Sequence, residues 1–368
     1  MSALSVSRRL TALPVKAGGL GIPNPTTTAA PSHEASLAMA IQVSTALSGS
    51  STDPFSLADH EAHVSATRLH SQESRLIECQ QTLQTIIAAA PAARREGLKR
   101  ACHTGAWLSV TPMPENDTVL SPLEFRDSLH LRYGLTPPDL PSHCDGCKHK
   151  FGVHHAFGCS HGGLLIQRHN QIVSELADLS ALAFIKSAVR TEPRITLGRP
   201  ALAPIDPADS SHAPTPSDPV IQDRGDLLVR GFWHRGTDCI FDVSLVDVDS
   251  PGRRDRGVTA AKALSQREKA KKTKYQAQCT AQRRHFTPFV VSADGLFAAE
   301  ADAALTQISR LLADKWSKPY SVVRSFVNAR MSIALARAAT MCLRGSRIPV
   351  STMSSRLWDD RGALALFR

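Results

Sequence analysis

The chain has 368 residues and a mass of 39.7 kDa, which predicts two compact units joined by linkers rather than one domain. Hydrophobic residues make up 42% of it and charged residues 21%, which excludes a chain that is disordered throughout. Lys and Arg number 43 against 33 Asp and Glu, and the formal charge of +10 indicates a polyanionic partner, most often nucleic acid. No apolar stretch approaches the ~18 residues of a membrane span, so we do not expect an integral membrane protein.

The start of the chain, Met1–Leu10, has neither the apolar core nor the cleavage site of a secretory signal, so we expect a nuclear or cytoplasmic protein. Its eight cysteines are too sparse for a disulfide scaffold and are expected to stay reduced. The positive charge is concentrated, because residues 253–285 contain eleven Lys or Arg and only two acids. A polyanion would therefore meet this segment first.

The first part of the chain reads as helical after an irregular lead-in of about thirty residues. Apolar residues recur at helical spacing, and Ser121, Pro122 and Glu124 form a helix-start signal. The predicted helices cover 34–47, 59–90, 94–102 and 122–133, with a short strand at 106–110.

The rest of the chain mixes helices and strands. Two strands, 226–233 and 239–248, are separated by a hairpin signal at 234–238. We predict helices over 164–188, 259–283, 300–315 and 320–343, a strand at 289–292 and a Pro-rich loop at 198–222. The order of elements predicts an α+β fold with an N-terminal helical region and a small mixed sheet flanked by helices.

A Cys/His cluster precedes these strands and predicts a zinc site. Cys144 and Cys147 are separated by two residues, and Cys159 follows twelve positions after Cys147. Three thiolates and one imidazole are the ligands of a closed, structural zinc site. Spacing allows His155 or His154 as the fourth ligand, with His149 and His161 as further competitors, and Gly146 is expected to permit the turn between the first two cysteines.

The two central strands carry an acid pair. Asp226 opens the first strand, and Asp242 lies in the second on the face opposite Phe241 and Val243. Two carboxylates in adjacent strands can hold Mg²⁺, on which a water can be activated to attack a phosphodiester.

A lysine near these acids would offset the charge of the transition state. A nuclease of the PD-(D/E)xK kind carries that lysine two residues after the second acid, where this chain has Ser244. The following helix offers Lys271, Lys272 and Lys274, and Lys271 lies one turn from Tyr275. The alternative is that the acid is a turn residue and the lysine run a solvated helix face.

A family resemblance spans almost the whole chain. The chain resembles the C-terminal region of non-LTR retrotransposon proteins that carry a restriction-like endonuclease. The matching segments include Phe125-Arg126-Asp127, Cys147 with His155-Ala156-Phe157-Gly158-Cys159, Arg168-His169-Asn170, Arg230-Gly231-Phe232-Trp233, Phe241-Asp242-Val243, Lys271-Lys272 with Tyr275, and Cys342-Leu343-Arg344-Gly345-Ser346-Arg347.

The resemblance implies a domain order: a helical thumb or linker over 1–140, a zinc knuckle over 141–163, a restriction-like endonuclease over 164–350 and a tail over 351–368. It also implies site roles. His155 is the zinc ligand with Cys144, Cys147 and Cys159, and Asp226 and Asp242 bind Mg²⁺. Lys271 or Lys272 with Tyr275 completes the catalytic set, Glu175 substitutes for an acid where this chain has Gln171 and Ser174, and Arg168, His169, Lys269 and Lys274 contact nucleic acid.

The resemblance further implies an endonuclease that nicks target DNA to prime reverse transcription. As an endonuclease, it is expected to have double-stranded DNA as its partner. The polymerase itself is missing from this chain, so we expect element RNA and a polymerase-bearing protein in trans as further partners. The competing hypothesis is a catalytically inactive, zinc-containing relic that binds nucleic acid without cutting it.

Overall fold

The structure is a computed structural model that describes residues 3–50, 54–195 and 224–348. These residues form an α+β protein with eleven α-helices and one four-stranded mixed sheet. The predicted Pro-rich loop at 198–222 and tail at 351–368 lie outside the described residues. Among the described residues, none of the helices combines the length and apolar character that crossing a membrane requires.

The chain divides into two compact units, the first being Met1–Ser109 with Arg132–Leu135. Its helices are α1 (Ala3–Ala12), α2 (Pro25–Leu47), α3 (Leu57–Ala89) and α4 (Ala92–Arg100). α2 packs against α3, and α3 begins where the Ser56 side chain accepts a hydrogen bond from the backbone of Asp59 at 3.3 Å. This cap satisfies one of the four N–H groups that a helix start leaves without partners.

Two predictions in this unit are wrong. The lead-in is helical: α1 occupies part of it, and α2 starts at Pro25 instead of residue 34. Pro25 follows the capping Asn24 and stands in the first turn of α2, where its missing N–H has no partner to lose. The segment predicted as a strand at 106–110 is a 3-10 helix, Ala106–Ser109, since a short apolar run does not distinguish the two.

The second unit comprises Val110–Leu131 and Thr136–Arg368. α5 (Pro122–Arg132) begins with the predicted start signal: the Ser121 side chain accepts from the backbone of Glu124, and the Glu124 carboxylate accepts from the backbone of Ser121. The remaining helices are α6 (Val153–Ala156), α7 (Leu164–Ala183), α8 (Pro251–Arg254), α9 (Ala260–Ala281), α10 (Ala299–Trp316) and α11 (Tyr320–Arg344).

The sheet has the strand order β1-β2-β3-β4. Its strands are β1 (Val189–Thr191), β2 (Leu227–Arg230), β3 (Asp238–Val246) and β4 (His285–Ser292). β2 pairs antiparallel with β1 and β3, and β4 runs parallel to β3.

The sequence missed β1, a strand of three residues that directly follows the segment predicted as helix to 188, and it began β4 four residues late. α7 itself ends at Ala183. Pro288 lies within β4, although a proline has no N–H to donate to a neighbouring strand. β4 is an edge strand, however, where a proline is tolerated because its missing N–H can face away from the neighbouring strand.

Each face of the sheet carries its own apolar core. Cys239, Phe241 and Val243 of β3 join the core formed with α7, α10 and α11, and alternation sends the intervening residues toward α9. There Ile240 packs with Tyr275 and Cys279, and Val246 packs with Ala263 and Leu264. The alternation predicted for this strand is confirmed, and it sets Asp242 on the α9 face.

Candidate functional sites: a Cys/His cluster and an acid pocket

The four predicted zinc ligands converge. One ligand atom from each of Cys144, Cys147, His155 and Cys159 lies within 4.8 Å of the others. The Sγ atom of Cys159 lies 3.9 Å from that of Cys144 and 3.8 Å from that of Cys147. Two sulfurs bound at about 2.3 Å to one tetrahedral zinc lie about 3.8 Å apart. The cluster can therefore hold a zinc ion.

Local structure favours the thiolate form at one ligand. Burial raises the pKa of the Cys144 thiol, but hydrogen bonds from the backbone N–H groups of Cys147 and Gly146 and from His155 outweigh it and bring that pKa to about 6. Because the thiolate is the metal-binding form, Cys144 is available as a ligand near neutral pH, whereas burial raises the pKa of the Cys159 thiol.

The choice between the histidines, which spacing left open, is decided by a distant residue. The Nδ1 of His154 lies 2.8 Å from a carboxylate oxygen of Asp247, which directly follows β3. His154 is thereby turned away from the cluster, whereas the Nε2 of His155 lies 3.3 Å from the Cys147 Sγ. His161 lies 3.9 Å from the Cys159 Sγ, outside the set of four converging atoms.

The cluster rests on the segment that follows α11. Arg347, which is 1% exposed, donates hydrogen bonds to the carbonyl oxygens of Ala156 and Cys342. The Asp145 carboxylate accepts from the backbone N–H of Arg347 at 2.9 Å and from the Ser346 hydroxyl at 2.7 Å. This segment therefore belongs to the structure of the knuckle.

Close packing against Arg347 also explains the need for Gly146. Its backbone does not adopt the positive φ that would make a turn demand glycine; instead, a Cβ there would lie 2.8 Å from the Arg347 Cβ. The predicted turn between the cysteines is present at 145–147, but the packing against Arg347, and not the turn, requires a glycine at this position.

The acid pair lies in the middle of the contact between β3 and α9. Along this face, apolar contacts at Ile240 and Val246 flank two polar residues, Asp242 and Ser244. Two residues advance a strand by about 6.6 Å and four residues advance a helix by about 6 Å. Every second residue of β3 on this face therefore lies beside every fourth residue of α9. Asp242 faces Lys271, and Ser244 faces Arg267.

Asp226 reaches the same place from β2. Leu227 pairs with Phe241, so the antiparallel register sets the preceding Asp226 opposite Asp242. One oxygen of Asp226 accepts the Val243 N–H at 2.5 Å, and the other lies 3.0 Å from the Nε2 of His169 on α7. The two carboxylates are close enough for Asp226 to raise the pKa of Asp242.

Lys271 is the lysine that faces the acids. Its Nζ lies 2.6 Å from the Oδ2 of Asp242. Burial raises the pKa of the Asp242 carboxyl, Lys271 lowers it, and the net direction is upward. The ring of buried Tyr275 lies beneath both neighbouring ammonium groups, with the Nζ of Lys271 at 5.7 Å and that of Lys274 at 4.7 Å from its centre.

These side chains surround a pocket of about 370 Å³. Seven of the predicted site residues line it: Arg168, His169, Asp226, Asp242, Lys271, Lys274 and Tyr275. The lining also includes Arg224, Ser244 and Arg267, so cations outnumber acids.

Three predicted site residues lie elsewhere. Lys272 forms an ion pair with Glu300 at the start of α10, Glu175 pairs with Arg330 of α11 at 2.9 Å, and exposed Lys269 is not among the lining residues. The carboxylate expected to replace the acid missing at Gln171 and Ser174 is thus directed at α11 and is not among the lining residues of the pocket, because six positions turn Glu175 about 120° around α7 from His169.

Sequence reasoning missed Arg267, although a signal was present. The buried positions of α9 form a stripe along one side of the helix and are Ala260, Ala263, Leu264, Glu268, Tyr275 and Cys279. Arg267 and Lys271 fall on this same stripe, and Lys269 and Lys272 do not.

A scan against protein-family models gives no match to this chain, and a search of curated proteins gives none.

Proposed function

We propose that this protein is a metal-dependent DNA endonuclease, of the kind found in the retrotransposon proteins it resembles, with a structural zinc site at its knuckle. The observation that carries the proposal is the convergence of Asp226 and Asp242, from neighbouring strands, on one cationic pocket that contains Lys271. Two nearby carboxylates are the oxygen ligands that Mg²⁺ prefers.

The donor set fits such an ion. Asp226 raises the pKa of the Asp242 carboxyl, and a divalent cation between the two carboxylates would favour the ionised form of Asp242. When bound, Mg²⁺ would lower the pKa of a water and polarise the phosphate. In the reaction, the water loses a proton as its oxygen forms a bond to phosphorus, the bond from phosphorus to the 3′ oxygen breaks, and that oxygen takes up a proton from solvent to become the 3′-hydroxyl.

The chain's own residues bind and orient the substrate. Lys271 is placed to neutralise the charge that develops on the phosphate oxygens, and its contact with the Tyr275 ring restricts its position. His169 orients Asp226 from the opposite side. The 3′-hydroxyl that results could prime synthesis by a polymerase acting in trans, with element RNA as template, in the nucleus.

The zinc knuckle would hold the DNA-binding surface near the pocket. His154 of the knuckle pairs with Asp247 at the end of β3, four residues beyond the Asp242–Val243 segment of the pocket. Zinc binding energy would therefore stabilise a segment attached to the catalytic strand.

The test is nicking of supercoiled plasmid with Mg²⁺ or Mn²⁺. We expect Asp242→Asn to abolish nicking and to retain DNA affinity, since affinity comes from the basic residues. Asp238→Asn is the matched control, because Asp238 lies on the same strand but outside the pocket lining. Equal nicking by wild type and Asp242→Asn would contradict the role of Asp242. Ca²⁺ should support binding without turnover.

One observation favours the second candidate, a zinc-containing protein that binds nucleic acid without cutting it. Both carboxylates already have a nitrogen atom of a protein side chain beside them, Lys271 for Asp242 and His169 for Asp226, so each has a partner without a metal. This candidate predicts salt-dependent DNA binding and equal inactivity of wild type and Asp242→Asn on every substrate.

A further inference from the structure

The contact between β3 and α9 contains a second polar pair that the proposed catalytic set does not use. Arg267 donates its Nε–H to the hydroxyl of buried Ser244 at 3.3 Å. None of the carboxylates in the described residues forms an ion pair with it, although its guanidinium lines the pocket. Arg267 therefore presents a charged, planar donor group to the pocket with no protein anion to neutralise it.

Arg168 approaches the same pocket from α7, and it is buried. It is 7% exposed, and its Nε and Nη1 find no hydrogen-bond partner among the described residues. Its remaining contacts are a hydrogen bond of 3.5 Å to the Phe157 carbonyl and the face of the Phe157 ring. A guanidinium stays ionised even when buried, so donors without partners are costly unless a ligand satisfies them.

We propose that Arg168 and Arg267 form a phosphate subsite beside the acid pair, which holds the DNA phosphate next to the one that is cleaved. The subsite lies at Ser244, two strand residues or roughly 6.6 Å along β3 from Asp242. That distance is comparable with the separation of neighbouring phosphates along one strand. The assignment of the phosphate to DNA rests on the proposed function.

The chemistry of the two residues selects a phosphate. Two guanidinium groups on different elements offer forked donors that match tetrahedral oxyanions better than a single ammonium does. Ser244, which stands where a PD-(D/E)xK nuclease has its lysine, instead holds the Arg267 guanidinium through its hydroxyl. The substitution that weakened the resemblance thus gives the pocket a different cation.

The first experiment uses inorganic phosphate as the probe and needs no catalysis. An anion that binds only the folded chain raises the midpoint of thermal unfolding. We expect phosphate to raise the midpoint of the zinc-loaded wild type more than chloride does at equal ionic strength. Arg267→Gln should lose at least half of that shift. Lys262→Gln, which removes one exposed charge of α9 outside the pocket, should keep it.

The second experiment measures nicking kinetics. Because a neighbouring phosphate is held equally in ground and transition states, Arg267→Gln should raise KM about tenfold or more and change kcat little. Arg267→Lys should restore part of the loss. Arg168→Lys should change KM and kcat as Arg267→Gln does. If Arg168→Lys fails to fold because Arg168 is buried, the Arg267 variants alone decide the test.

The outcomes separate the subsite from the proposed function. No phosphate-specific shift in the wild type, or a full shift in Arg267→Gln, overturns the subsite, as does a fall in kcat at unchanged KM. An Arg267-dependent phosphate shift in a protein that nicks no substrate supports the subsite and removes the endonuclease.

Discussion

The Nζ of Lys271 lies 2.6 Å from the Oδ2 of Asp242, whereas the next residue, Lys272, pairs with Glu300 of α10. Successive residues of a helix point about 100° apart, so only one of two adjacent lysines can face the strand. The sequence and the family resemblance left these two lysines as alternatives, and their contacts in the fold separate them.

This separation predicts different kinetic effects. Lys271→Ala should reduce the nicking rate by roughly a hundredfold or more, the usual scale for losing one transition-state charge partner. Lys272→Ala should stay within a few-fold of wild type, since its charge is directed at Glu300 outside the pocket. Single-turnover rates on supercoiled plasmid measure both variants, and equal losses would show that the pairing with Asp242 does not identify the catalytic lysine.

The zinc ligands predict a matched histidine pair. His155→Ala should lower the zinc content of the purified protein well below one per chain, and His154→Ala should leave it near one, because His154 contacts Asp247 instead of the cluster. Metal analysis after exhaustive dialysis measures this. In hydrogen exchange, chelation should expose residues 143–163, since ligand binding energy there is folding energy. Zinc retention by His155→Ala would contradict the assignment.

A buried ion pair predicts a large loss of stability. Arg344 donates two hydrogen bonds of 2.8 Å to Asp127, whose side chain is fully buried. Arg344→Ala leaves that carboxylate without its main partner, so the free energy of unfolding should fall by about 3–5 kcal/mol. Arg230→Ala, which removes the exposed pair with Asp238, should cost about 1 kcal/mol or less. Urea unfolding of both variants tests the contrast.

A surface pair predicts a pH dependence. A hydrogen bond from Arg337 lowers the pKa of the Asp117 carboxyl, and the pair is 2.6 Å apart. A carboxyl with a lowered pKa in the folded state stabilises the protein above the unfolded pKa, and this contribution disappears as the pH falls through the folded value. The difference in stability between wild type and Asp117→Asn should therefore be present at pH 6 and narrow below about pH 4. Because Asp117 is largely exposed, the difference should be small. A gap that widens toward low pH would contradict the pairing.

Local patterns in the sequence predicted much of this site. The Cys/His spacing identified the three cysteines that converge and left His154 and His155 as alternatives, of which the family resemblance chose His155. Spacing succeeds here because turns and short helices position residues that are close in sequence. Strand alternation placed Asp242 on the face opposite Phe241, and the antiparallel hairpin brought Asp226 beside it.

The side-chain directions that the sequence could not predict depend on partners that are far away along the chain. His154 is turned by Asp247, 93 residues away, and Glu175 is turned by Arg330, 155 residues away. Such contacts follow from how α7 and α11 pack, which periodicity does not encode. Arg267 was different, because its helical spacing from Leu264 and Lys271 set it beside the buried stripe of α9, and only its partner, Ser244, was unknown.

The contacts of Arg347 have a consequence for synthesis of the chain. Translation produces the cysteines of the knuckle almost two hundred residues before Arg347, whose buried guanidinium and backbone hold Ala156 and Asp145. A nascent chain can thus gather its metal ligands early, but the knuckle reaches its final packing only after α11 and Arg347 have emerged. Truncated messages or breakdown products that end before Ser346 would yield chains that contain all four metal ligands but lack the contacts of Ser346 and Arg347 with the knuckle.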